Sequence, residues 1–270
     1  MKLIIFGDVV GKLGREGVKR MLPLWQEKLS PDVVIANVEN IAHGKGIGVS
    51  QLDELKLAGV NIFTGGNHSF TGKNAAQILN DETVPIVRPA NAAEGLPGRG
   101  VLIYSLSSGK TESETDDKLL VINLIGQVGM RQNYDSPFHE IDRILEKFGN
   151  ETPYKIVDWH AEATSEKEVM GWYLDGKVSA VVGTHTHVPT ADARVLPKGT
   201  GYISDIGMVG PHDSIIGVEI EPAFKRFKEQ LPSPMEVAEE GPIEVNAVFL
   251  ELDGAGRTLK IEHLRQVVSS

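Results

Sequence analysis

At 270 residues with 41% apolar side chains, the chain is long enough to bury a sizeable core, as one large α/β domain or two small ones. Its 37 acidic against 27 basic residues leave a net charge of -10. That excludes a broad nucleic-acid face but permits a small phosphorylated substrate whose charge metal ions offset. Cysteine is absent, which excludes disulfides, thiolate zinc sites and a thiol nucleophile and agrees with a reducing compartment. The first apolar run, Leu3 to Phe6, is too short for a signal peptide, and no run is long enough for a transmembrane helix, so a cytoplasmic protein is expected.

In chain order, Leu3 to Phe6 reads as a buried strand, with Gly7 to Gly11 as a tight loop. Val18, Met21, Leu22 and Trp25 then recur at helical spacing within Gly14 to Lys28. Val33 to Ala36 is a second strand that stops at Asn37-Val38-Glu39-Asn40, before a glycine-rich loop, Gly44 to Gly48. Ser50 with Asp53 resembles a capping box for a helix to about Ala58. Ile62 to Thr64 is a third strand, ending in Gly65-Gly66-Asn67-His68; a short helix from Asn74 to Leu79 and a strand from Val84 to Val87 follow. This strand–loop–helix order predicts an α/β fold with a largely parallel sheet, whose ligands sit beyond the carboxyl ends of the strands.

In the middle, Val101 to Leu106 and Leu119 to Ile125 read as a hairpin around a polar, mobile tip, Ser107 to Lys118. A helix is expected over Phe138 to Phe148, and a buried strand over Lys155 to Val157, ending in Asp158-Trp159-His160. Ser165 and Glu168 suggest a second capping box for a helix to Leu174. Val178 to Val182 is a further strand, Gly201 to Ile203 a short one, and Ile243 to Leu252 and Leu259 to Val267 the closing pair. No linker, repeat or low-complexity block interrupts residues 1–270, so one domain is expected.

The chemistry gathers at the strand ends. Gly183-Thr184-His185-Thr186-His187 follows an apolar run, and in an extended segment alternate residues point the same way, so His185 and His187 are expected to face one small volume. Asp8, Glu39, Asn67 and His160 end other strands. Carboxylates, amide and imidazoles without sulfur suit iron, manganese or zinc, and the set is too large for one tetrahedral ion. Two ions sharing a carboxylate would clamp the attacking and leaving oxygens of a phosphoryl transfer, with a bridging hydroxide as nucleophile. His68, beside Asn67, could then protonate the leaving oxygen. His43, His139, His212 and His263 read as structural, surface or substrate-adjacent residues. Gly7 to Leu13 superficially looks like a P-loop but has only three residues between its glycines and lacks the final hydroxyl.

Gly7-Asp8, Glu39-Asn40, Gly66-Asn67-His68, His160 and Gly183 to His187 resemble, in order, the motifs of the calcineurin-like metallophosphoesterases. The resemblance is closer to the small bacterial 2',3'-cyclic-nucleotide 2'-phosphodiesterases of the YmdB type, and it includes Asp205 to Pro211 and Asp213 to Gly217. It implies a layered β-sheet sandwich flanked by helices, a homo-oligomer, and hydrolysis of a 2',3'-cyclic nucleotide or related phosphodiester to a 3'-phosphate. It also implies two metal ions, the first on Asp8, Glu39, Asn40 and His187 and the second on Glu39, Asn67, His160 and His185. Three positions depart from the wider superfamily: Val10 stands where most members carry a ligand histidine, Glu39 replaces the usual bridging aspartate, and Ser69 replaces the acidic residue after His68. A phosphomonoesterase or a 3',5'-cyclic phosphodiesterase would need the same metal core, and a nucleotide- or RNA-linked regulatory protein is the alternative class. The loops at Gly44 to Gly48 and Gly210 to Ser214, and Arg131, are candidates for shaping the pocket, with no substrate-binding residue assigned.

Overall fold

The computed structural model describes residues 1–106 and 118–269. Its elements run β1 (Lys2–Val9), α1 (Gly11–Leu29), β2 (Val33–Asn37), α2 (Val49–Leu57), β3 (Ile62–Thr64), α3 (Ala75–Asn80), β4 (Val101–Ser105), β5 (Lys118–Ile125) and α4 (Pro137–Phe148). They continue with β6 (Lys155–His160), α5 (Thr164–Tyr173), β7 (Ala180–Thr184), β8 (Arg194–Val195), β9 (Gly201–Ile203), β10 (Met208–Pro211), α6 (Ile220–Lys228), β11 (Ile243–Leu252) and β12 (Thr258–Val268). The tip of the expected hairpin lies outside the described residues.

The strands form two six-stranded sheets, ordered β12-β11-β10-β1-β2-β3 and β4-β5-β6-β7-β9-β8. In the first, β10, β1, β2 and β3 run parallel, β11 lies antiparallel to β10 and β1, and β12 antiparallel to β11; in the second, β5, β6, β7 and β9 run parallel between antiparallel β4 and β8. The single, largely parallel sheet expected from the element order is therefore two mixed sheets. Hairpin-like returns at the chain's middle and end reverse the outer strands, which periodicity alone does not reveal.

The period-2 alternation of strand side chains builds the layers. Leu3, Ile5, Val33 and Ile35 of the first sheet meet Leu119, Val121, Ile156 and Val182 of the second in one core between the sheets. Ile4, Phe6, Val34 and Ala36 point the other way and pack under α1, α2 and α3, with Phe6 stacked on Trp25. Leu120, Ile122, Val157 and Val181 likewise pack under α4 and α5. The result is a helix–sheet–sheet–helix sandwich, as the resemblance implies. No helix among the described residues is long and apolar enough to cross a membrane.

Three local expectations change. β1 runs on through Gly7 and Asp8 to Val9, because Gly7 has no side chain to collide with the Gly207 carbonyl and the strand continues against β10. Val84 to Val87 is reduced to an isolated bridge, Phe63 to Ile86, at the sheet edge. Neither capping box forms. Gly48 and Ala163 are the N-cap residues, so Ser50 and Ser165 already lie inside their helices; Ser50 bonds Gln51, and Glu168 accepts from Arg194.

Candidate metal centre

The parallel strands of both sheets deliver their carboxyl ends to one place. Asp8 is the penultimate residue of β1, after a register shift that follows Phe6, and it is fully buried. Glu39 and Asn40 follow β2 in a turn held at both ends: Gly46 N–H donates to the Glu39 carbonyl, Gly11 N–H to the Asn40 carbonyl and Arg15 to the Ile41 carbonyl. Asn67 and His68 follow β3 in a turn that Ser69 closes by accepting the Gly66 N–H at 2.8 Å. This is the work Ser69 does where the superfamily carries an acid. His160 is the last residue of β6 and pairs with Thr184, the last of β7.

His185 and His187 both lie beyond β7 with positive φ, 102° and 66°. The extended geometry expected for them is replaced by a kinked loop, a backbone strained for non-glycine residues. A buried ion pair holds it. Lys167 Nζ reaches Asp205 Oδ2 at 2.7 Å and the Thr184 carbonyl at 2.6 Å, and the same Asp205 oxygen accepts the Thr186 N–H at 3.1 Å.

The orientation of each imidazole follows from its outer partner. His187 Nδ1 donates to the Ile216 carbonyl at 2.8 Å, which leaves Nε2 unprotonated as an acceptor. Thr184 spends its hydroxyl proton on Asp158 Oδ1 at 2.7 Å, so it accepts from His160 Nδ1 at 3.0 Å and leaves His160 Nε2 facing inward. His185 Nε2 lies 3.0 Å from Glu162 Oε2, which turns His185 Nδ1 inward. Asp158 is itself held by Asn37 and Thr64.

What converges inside is a set of acceptors. Around His160 Nε2 stand Asn67 Oδ1 at 2.9 Å, His185 Nδ1 at 3.0 Å and Glu39 Oε1 at 3.3 Å. Asp8 Oδ1 is buried with no hydrogen-bond partner among the described residues, 3.9 Å from His160 Nδ1 and 4.0 Å from His187 Nε2. One proton cannot satisfy so many lone pairs, and a buried unpartnered carboxylate oxygen is costly. A cation satisfies all of them. The ligand atoms of Glu39, His160 and His185 lie within 4.8 Å of one another. Gly66 completes the cradle, because a Cβ there would sit 2.4 Å from both Glu39 Oε2 and His160 Nε2. Asn40 alone turns a donor inward, its Nδ2 lying 3.3 Å from His187 Nε2; presenting Oδ1 to an ion takes a half-turn of the amide.

The electrostatics of the cluster follow from the same packing. Burial opposes charge on His160, but Glu39, Asp8 and Asp158 overcome it and hold the imidazole proton up to about pKa 9. Glu39, despite burial, is pulled down to about 2 by His160 and His68. Burial and the neighbouring His160 push His185 down to about 3. Burial raises Asp8 and brings Asp158 up to about 6.

His68 stands at the rim. Its backbone N–H donates to Glu39 Oε2 at 2.7 Å, and its imidazole has no hydrogen-bond partner among the described residues. Burial lowers its pKa, with Lys45 adding and Glu39 opposing. The remaining histidines play other parts. His263 bonds the Ile206 carbonyl, His212 bonds Glu244, His139 offers its backbone N–H to the Ser136 cap, and His43 lines a separate acidic cavity. Arg131 is exposed and makes no hydrogen bond among the described residues. Gly66, Thr184, Asp158 and Asp205 stood in the sequence only as members of motifs or strand ends, with no role in the site assigned to them, and Glu162 and Lys167 carried no signal.

Comparison with known proteins places this geometry among relatives. A family model described as YmdB-like protein matches residues 4–264. The 2',3'-cyclic-nucleotide 2'-phosphodiesterase of Bacillus subtilis (strain 168) is 44% identical over 266 residues, 98% of this chain and 96% of the relative. A crystal structure of a phosphatase from Mycoplasma pneumoniae superposes with a TM-score of 0.90 at 36% identity, covering 99% of this chain and 93% of that one. A 5'-nucleotidase precursor from Thermus thermophilus shares the fold at 12% identity and a TM-score of 0.58, over all of this chain and 54% of its own.

Proposed function

The chain belongs to the family of YmdB-like proteins, and from that membership we propose that it is a dinuclear metal-dependent phosphodiesterase opening 2',3'-cyclic nucleotides to 3'-phosphates. Stated more coarsely, it is a phosphoester hydrolase. The observation that carries the reading is the convergence of bare acceptors from both sheets, with Asp8 Oδ1 unpartnered among them. We assign one ion to Asp8, Glu39, Asn40 and His187 and the other to Glu39, Asn67, His160 and His185. The mixed oxygen and nitrogen set suits iron or manganese, and zinc is compatible with it.

When bound, such ions supply Lewis acidity and an acidified water. The chain's own residues do the rest. Thr184 and Asp158 keep the His160 proton on Nδ1, Ile216 keeps that of His187 on Nδ1, and Glu162 keeps that of His185 on Nε2, so each ligand nitrogen is presented without reorganisation. His68, anchored through its backbone to Glu39, delivers a proton to the departing 2' oxygen. The lowered pKa of its imidazole makes it a stronger acid than an ordinary histidine. The same reading places the enzyme in the cytoplasm and makes it a homo-oligomer. Exposed Phe224 and Phe227 on α6 provide an apolar face for self-association, which light scattering on the purified protein measures.

The test is elemental analysis of purified protein paired with hydrolysis of bis(p-nitrophenyl) phosphate, 2',3'-cyclic AMP, 3',5'-cyclic AMP and a monoester. Two ions per chain with preferred 2',3'-cyclic AMP turnover is the expected result. Turnover confined to the monoester or to 3',5'-cyclic AMP would reassign the substrate, and a chain that takes up neither iron, manganese nor zinc would overturn the metal assignment. His68→Ala should keep both ions and lose about 10²- to 10⁴-fold in rate.

A further inference from the structure

Away from the metal centre, α4 and the start of β4 enclose a cavity of about 260 Å³. None of the candidate ligands lines it; four cationic side chains do, Arg88, Arg99, Arg143 and Lys147, with Glu140 the single acid. In a chain of net charge -10 this is a concentration of the minority sign. Glu140 is spent on Arg143, which grips both its oxygens at 2.8 and 3.0 Å. Arg88, Arg99 and Lys147 have no ion pair among the described residues.

Arg88 is the anchor. The residue is 9% exposed; Nη1 donates to the Pro89 carbonyl at 2.6 Å and to the Ala90 carbonyl at 3.4 Å, Nε donates to the Pro97 carbonyl at 3.4 Å, and Nη2 has no hydrogen-bond partner among the described residues. Its backbone N–H donates to the Arg99 carbonyl at 2.9 Å, so two guanidinium-bearing residues are locked side by side. Arg99 is steadied in turn by the Val84 carbonyl, and Lys147 lies against the Phe148 ring at the rim. A nearly buried guanidinium whose one acidic neighbour, Glu140, is already held by Arg143 is an expensive arrangement, and a bound anion resolves it.

We propose that this cavity binds a phosphate dianion, free or as the head of a phosphomonoester. Two guanidiniums and an ammonium on one cavity wall offer donors to several oxygens of a tetrahedral group, and three cations without an ion pair among the described residues exceed what one carboxylate neutralises. The volume admits a phosphate with a small organic substituent and lies below the usual range for larger ligands.

Crystals grown or soaked with tungstate, a heavy tetrahedral dianion, test the location by anomalous scattering. Density among Arg88, Arg99 and Lys147, lost in an Arg99→Ala/Lys147→Ala variant and retained in a His185→Ala variant, is the expected result. Density only at the metal centre, or density in the cavity that survives the double substitution, overturns the proposal. In solution, calorimetric titration of the His185→Ala protein with inorganic phosphate and with adenosine 3'-monophosphate distinguishes the two sources. Comparable affinities identify the free anion, and a preference for the nucleotide of tenfold or more identifies a phosphomonoester. Either affinity should fall at least tenfold in a triple variant that adds Arg99→Ala and Lys147→Ala, each lost charge-assisted hydrogen bond being worth on the order of tenfold. Both rim side chains can be removed without opening the core, and circular dichroism verifies folding. An undiminished affinity in a folded triple variant contradicts the assignment.

Discussion

Two residues that bind nothing themselves set the terms of the metal centre. Gly66 leaves the space into which Glu39 and His160 close, so Gly66→Ala should abolish tight metal binding while leaving the far-ultraviolet spectrum unchanged; metal content and circular dichroism on one sample check this. Glu162 orients His185 from outside, through a contact of 3.0 Å. Carboxylate partners of ligand histidines are commonly worth about 10- to 100-fold in metal affinity. Glu162→Gln should therefore weaken one ion by that order and spare the other, read as a biphasic release to a competing chelator. The seven candidate ligands and His68 were legible in sequence because carboxylates, amides and imidazoles at strand ends announce their chemistry by residue type. Gly66 was legible only as a member of a motif, because a glycine's role lies in the side chain it lacks, and Glu162 was not legible, because a half-exposed glutamate looks like any surface acid until the fold brings His185 to it.

At the scale of elements, the loop after β7 is the strained part, and α5 stabilises it from beneath. Lys167 reaches from that helix to the Thr184 carbonyl and Asp205, both almost fully buried. Removing one partner of such a pair leaves a buried, uncompensated charge, which typically costs about 3–5 kcal/mol. Lys167→Met should lower unfolding free energy by that order in urea titrations, and loosen the ion held by His187 through the released loop. Most elements were legible from apolar periodicity: β3, β9 and β11 match their expected limits, and α4 and β12 differ by only a residue at an end. β8, β10 and α6 were not. β8 is two residues long, β10 is Met-Val-Gly-Pro with a glycine and a proline in four positions, and α6 carries its large apolar residues on an exposed face. Each owes its conformation to neighbours rather than to its own pattern.

For the whole molecule, the decisive fact is that the first sheet supplies Asp8, Glu39, Asn40 and Asn67 while the second supplies His160, His185 and His187. Ions bound between them would fasten the two sheets together. We propose that residues 1–270 unfold as one domain, and that chelation lowers the midpoint of a single transition. Free ion at a hundred times its Kd contributes roughly 2.7 kcal/mol, a change in Tm on the order of 5–10 °C for a chain of this size. Calorimetry with and without chelator measures both, and two separated transitions would contradict the single domain. The division of ligands was legible as a set of strand ends but not as two sheets, because pairing partners far apart in sequence leave no periodic trace. It also fixes a timetable for biosynthesis. Asp8 is among the first residues made, yet the His185 N–H that it accepts lies 177 positions later, and Lys2 pairs with Glu251 near the end of the chain. At about 5–20 residues per second the ribosome needs on the order of ten seconds or more to span the first interval. Metal loading therefore falls after most of the chain has emerged, and a nascent chain stalled before His185 should carry no assembled centre at all.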